Sequence, residues 1–103
     1  MFREKIKLLD CTIRDGGLIN NHDFDLRFVR EVYKALSQAG VDYMEIGYKN
    51  SKRLFSTKEY GKWKFCDDED IKRVIDGIES KTKLSIMVDV DRVDIEDVPE
   101  RRN

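Results

Sequence analysis

At 103 residues, 40% charged and 40% hydrophobic with a net charge of −1, the chain has the profile of one globular domain, or part of one, with a modest core. The near balance of acids and bases argues against a disordered tail and against a nucleic-acid binder driven by net charge. No run approaches the roughly 20 apolar residues of a membrane span, and the charged opening through Lys7 does not read as a signal peptide.

Ile6 to Asp10 reads as a short buried strand, and Cys11 to Asp23 as a polar, glycine-containing loop. From about Phe24 the period changes. Leu26, Val29, Tyr33 and Leu36 recur at helical spacing, flanked by Phe28, Val32 and Ala35. Asp25 is placed to cap this helix, and Gly40 stands where its end calls for a left-handed residue. Val41 to Tyr48 reads as a second strand. Asn50 to Phe65 is a long basic and aromatic loop. Asp67 opens a second helix, whose acidic first turn suits the positive end of the helix dipole and whose apolar face is Ile71, Val74, Ile75 and Ile78. Leu84 to Val90 is a third strand, followed from Asp91 by a charged tail with no clear element. The alternation predicts an α/β fold, β1-α1-β2-α2-β3, with parallel strands joined by right-handed crossovers. Cys11 and Cys66 are too far apart for a C-x-x-C pair and read as free thiols of a reducing cytoplasm.

The chemistry concentrates at Leu8 to Gly17, L-L-D-C-T-I-R-D-G-G. An apolar run ends in an acid, then a hydroxyl, an arginine, a second acid and two glycines follow. The glycines let the backbone turn sharply and approach a ligand closely. Asp10 and Thr12 read as groups that orient the loop by bonding its backbone.

D-C-T-I-R-D-G-G resembles the signature of the DRE-TIM metallolyase superfamily, which includes hydroxymethylglutaryl-CoA lyase, isopropylmalate and homocitrate synthases and 4-hydroxy-2-oxovalerate aldolase. A-G-V-D-Y-M-E-I-G, Ala39 to Gly47, is similar to the second strand of the same family. The resemblance spans about Lys5 to Val90. It implies that residues 1–103 are the N-terminal segment of a (β/α)8 TIM barrel, with site residues at the C-terminal ends of the strands. It further implies a reaction that makes or breaks a carbon–carbon bond next to a carbonyl, through an enolate held on a divalent metal, Mn2+ or Mg2+. By position, Asp15 resembles the metal ligand, Arg14 the cation that steadies the enolate oxygen, and Glu45 the acid beside that arginine. Such chemistry wants preorganised positive charge in a water-poor site, a hard carboxylate ligand and a permanently protonated planar donor.

The chain departs from the family pattern in three ways. Relatives supply further metal ligands from a His-x-His pair, whereas His22 is the single histidine here, so further ligands are expected from outside this chain. A barrel takes roughly 250 residues, so the chain corresponds to about two-fifths of one; the rest of the barrel, or a second chain, is the expected partner. Leu18 stands where the aldolase branch carries a proton-transferring histidine and the other branches often carry glutamine. His22 is the substitute base that the sequence offers.

Plainer readings stand beside these. Arg14 could be a solvated arginine, Glu45 half of a structural salt bridge, and His22 an exposed loop residue. Lys49, Lys52, Arg53, Lys58, Lys62 and Lys64, interleaved with Phe55, Tyr60, Trp63 and Phe65, could grip phosphates and stack bases. A loop folded over the barrel mouth to bind an anionic substrate fits the composition better. The expected function is an aldolase-like carbon–carbon lyase, or its condensing counterpart, acting on a 2-oxo acid or other anionic small molecule. A homo-oligomer without membrane or nucleic-acid partners is expected. The alternative is a non-catalytic binding or assembly module that contacts an anionic partner through loop 49–65.

Overall fold

A computed structural model describes residues 6–89 and 92–94. The elements in chain order are β1 (Leu9–Asp10), α1 (Thr12–Asn20), α2 (Leu26–Ala39), β2 (Tyr43–Tyr48), a 3-10 turn at Lys62–Lys64, α3 (Asp68–Ile75) and β3 (Lys83–Met87). The strands form one parallel sheet in the order β1-β2-β3, so the expected α/β arrangement holds. This order matches the opening of a (β/α)8 barrel.

α2 forms where its periodicity and caps place it. The Asp25 carboxylate accepts a hydrogen bond from the Arg27 amide, and Gly40 closes the helix at φ 78°. Val29 and Tyr33 of α2 pack with Met44 and Ile46 of β2 and Val74 of α3, which makes the central strand the floor of the core. Tyr33 keeps its hydroxyl satisfied there by donating to the Thr82 carbonyl at 2.9 Å, as a buried phenol must. The Arg30 guanidinium donates to the carbonyls of Arg73 and Val74, tying the end of α3 to α2.

Four expectations need correcting. First, Cys11 to Asp23 is not a plain loop, because Thr12–Asn20 is helical. Two glycines weaken the helical signal by about 1 kcal/mol each, while the Asp10 carboxylate takes up the Thr12 amide at 3.1 Å and its hydroxyl at 2.9 Å. Second, the first strand is short and not buried: Ile6, Leu8 and Leu9 are 62%, 58% and 53% exposed. Among the described residues β1 is an edge strand, paired with β2 alone over Leu9↔Tyr43 and Asp10↔Met44. Third, Ile75 is exposed although Val74 is buried and Ile71 and Ile78 pack on the core; α3 ends at Ile75 and the chain leaves through Gly77 at φ 72°. Fourth, β3 spans Lys83–Met87, while Val90 and most of the expected tail lie outside the described residues. Among the described residues, no helix is long and apolar enough to cross a membrane.

Candidate active site

The residues of the opening motif gather at the C-terminal ends of β1 and β2. α1 begins two residues after β1, so its first turn carries Arg14 and Asp15 over the end of the neighbouring strand. Arg14 Nε donates to Glu45 Oε1 at 2.5 Å, and Arg14 Nη1 lies 2.8 Å from Asp15 Oδ1. Glu45 is buried in mid-strand, where an acid needs such a partner. Asp15 is the open member, with a side chain 63% exposed.

Burial alone would lower the Arg14 pKa, but hydrogen bonds with Cys11, Glu45 and Tyr48 and the charge of Glu45 raise it above its ordinary value. The guanidinium is therefore a fixed cation. Tyr48 reaches this cluster because the ladder between β2 and β3 slips. Glu45 pairs with Ser85 and Tyr48 with Met87, so three steps on one strand oppose two on the other. A bulge of this kind re-aims a side chain, and here it puts Tyr48 on the Arg14 side with Glu45.

His22 is buried rather than exposed, and it meets the Tyr48 ring edge to face at 5.2 Å between ring centres. A Cβ on Gly17 would come within 2.0 Å of His22 Nδ1, so the glycine lets the imidazole lie against α1. Close approach, rather than a sharp turn, is what Gly17 provides. Burial, then the nearby charge of Lys64, lowers the His22 pKa below its ordinary value of 6.5.

The basic aromatic loop docks on the turn after α1. Gly61 donates its amide to the Asn21 carbonyl at 2.9 Å, and the Trp63 indole donates to the Phe24 carbonyl at 2.7 Å. Trp63 and Phe65 are buried. Lys49 donates to the Cys66 carbonyl, Lys52 pairs with Asp67 at 2.7 Å and Arg53 with Asp94 at 2.8 Å. Much of the loop's charge is thus spent inside the chain. Sequence reasoning missed Tyr48 at the arginine, and also Asn50, whose buried side-chain amide has no partner among the described residues. A cavity of about 510 Å³ is lined by Ser37, Val41, Asp42 and Thr82 among others, at the opposite end of the strands.

No family model matches the chain. The chain is 27% identical over 88 residues to the 4-hydroxy-2-oxovalerate aldolase of Moorella thermoacetica, covering 85% of this chain and 25% of that protein. It is 29% identical over 86 residues to 4-hydroxy-2-oxovalerate aldolase 6 of Rhodococcus jostii, covering 84% and 24%. Among solved structures, it matches the N-terminal domain of a candidate aldolase from Bacteroides vulgatus with a TM-score of 0.63 and 33% identity, covering 79% of this chain and 25% of that one. The chain therefore spans about a quarter of the length of the relatives it matches. Matches in both sequence and structure place its resemblance with the N-terminal portion of the 4-hydroxy-2-oxovalerate aldolases, in the DRE-TIM metallolyase superfamily.

Proposed function

We propose that this chain contributes part of the active site of a cytoplasmic, homo-oligomeric, divalent-metal-dependent aldolase-like enzyme, built on a (β/α)8 barrel, that cleaves or forms a carbon–carbon bond of a 2-oxo acid through an enolate. One observation carries the reading: Arg14 is held between Glu45 and Asp15 at the strand ends. Breaking a bond beside a carbonyl leaves negative charge on the carbonyl oxygen, and a preorganised cation lowers the cost of that charge. A guanidinium carries five donors, so Arg14 keeps one beyond those that Glu45, Asp15, Cys11 and Tyr48 can occupy. Glu45 orients it. His22, neutral at pH 7 because its pKa is held low, is the proton acceptor this chain can offer in place of Leu18.

The metal's fit is partial. Among the described residues, no group of three or more histidine, cysteine or acidic side chains comes together to hold an ion. Asp15, exposed and with one oxygen on Arg14, fits a single ligand position, and the remaining ligands come from outside these residues. When bound, a divalent ion polarises the substrate carbonyl. The assembly alternative has less support, because the cations and rings of loop 49–65 largely bond one another and the core.

In the protein that carries this chain, Mn2+ should raise the thermal midpoint and support release of a 2-oxo acid from a 4-hydroxy-2-oxo acid. Asp15→Asn should abolish both effects, and Arg14→Met should reduce the rate by about 100- to 1000-fold. Absence of any metal response in the unsubstituted protein would rule the proposal out.

A further inference from the structure

A smaller cavity, of about 210 Å³, is lined by Gly17, Leu18, Asn21, His22, Tyr60 and Lys64. Drug-sized ligands occupy roughly 300 to 1,000 Å³, so this space suits a compact group. Its cation is Lys64. The ammonium stands 4.3 Å from the Phe55 ring centre, 4.8 Å from Tyr60 and 5.2 Å from Tyr48. Three ring faces hold it in place through their quadrupoles. The ion pairs of the loop go to Lys49, Lys52 and Arg53; among the described residues none goes to Lys64.

The surroundings are short of negative charge. Burial and the charge of Arg92 lower the Lys64 pKa, only partly opposed by Asp89, and Lys64 in turn lowers that of His22. His22 Nδ1 is buried without a hydrogen-bond partner among the described residues. A cation and an unpartnered imidazole nitrogen at one partly desolvated concavity are costly, and a bound anion offsets that cost.

The geometry points to a subsite for a compact oxyanion, the carboxylate or phosphate group of a small molecule, held by the caged Lys64 beside the His22 imidazole. The inference rests on the aldolase reading and deepens it. Tyr48 touches Arg14, His22 and Lys64, so one ring links the proposed subsite to the arginine. The same anion restores basicity to His22.

Because His22 is the only histidine, its ring protons are an unambiguous NMR reporter. Inorganic phosphate and pyruvate are titrated separately into the chain without divalent metal, up to about 50 mM, where even a millimolar site is saturated. A saturable shift of the His22 resonance, with its titration midpoint moved upward, is expected. Response to phosphate alone assigns a phosphorylated ligand, response to pyruvate alone a carboxylate, and response to both a subsite for either group. Lys64→Gln should weaken the response by at least about tenfold, equivalent to 1.4 kcal/mol. Lys64→Arg should retain it, and exposed Lys58→Gln should leave it unchanged. The subsite is overturned if neither anion gives a saturable shift. It is also overturned if Lys64→Gln, folded by far-UV circular dichroism, responds like the unsubstituted chain, or if Lys64→Arg loses binding as completely as Lys64→Gln. With no metal in the titration, failure here is separate from failure of the metal response assigned to Asp15.

Discussion

His22 and Cys66 show how burial sets chemistry one residue at a time. The native state holds the His22 pKa below its ordinary value of 6.5, so between those two values the unfolded chain binds a proton that the folded chain does not. Stability from this group is therefore fully present above about pH 6.5 and is lost as pH falls toward the folded pKa. Urea midpoints measured from pH 7.5 to 5 should fall, and His22→Asn should flatten that fall. Cys66 behaves in the opposite sense. Burial pushes its thiol up to about 12, the Lys49 charge offsetting only part of the effect, so almost no thiolate exists at neutral pH. Cys11 is only half-buried. A thiol reagent at pH 8 should label one cysteine rapidly under native conditions and the second only on unfolding; rapid labelling of both would mean that the turn carrying Cys66 is open.

At the scale of elements, the chain depends on one close contact between β2 and the 3-10 turn at Lys62–Lys64. A Cβ on Gly47 would lie 2.0 Å from the Trp63 carbonyl oxygen and 3.1 Å from the Cys66 sulfur. Backbone is the obstacle, so no rotamer change relieves it. Gly47→Ala should therefore destabilise the fold by about 3 kcal/mol or more, beyond the usual cost of overpacking, read from chemical denaturation. The sequence carries no sign of this contact, because it joins segments whose pairing only the fold determines. α2 was legible for the opposite reason. Its helical period, Asp25 and Gly40 are local signals that tertiary contacts reinforce. α1 was not legible: Gly16 and Gly17 weaken its helical signal, and they are accommodated because Phe24 and His22 pack where side chains would otherwise be. Arg14, Asp15 and Glu45 could be named from the motif, and the fold brings their side chains together. The bulge that adds Tyr48, and the cage that turns Lys64 from one of many loop cations into a positioned one, depend on register and packing.

At the scale of the whole molecule, the sheet is covered unevenly. β2 is enclosed, with Met44, Glu45, Ile46 and Gly47 all buried, whereas β1 presents Leu8 and Leu9 to solvent. An apolar edge strand is a template for pairing with another chain. Each exposed leucine that becomes covered contributes on the order of 1 to 2 kcal/mol, so two from each of two chains supply about 4 to 8 kcal/mol, the range of millimolar to micromolar association. The 103-residue chain studied alone should therefore show a weight-average mass that rises with concentration in sedimentation equilibrium. A Leu8→Lys, Leu9→Glu double substitution should hold it as a monomer without changing its far-UV spectrum, since neither side chain belongs to the core cluster. A chain that stays monomeric without the substitutions would mean that the exposed leucines of β1 do not drive association.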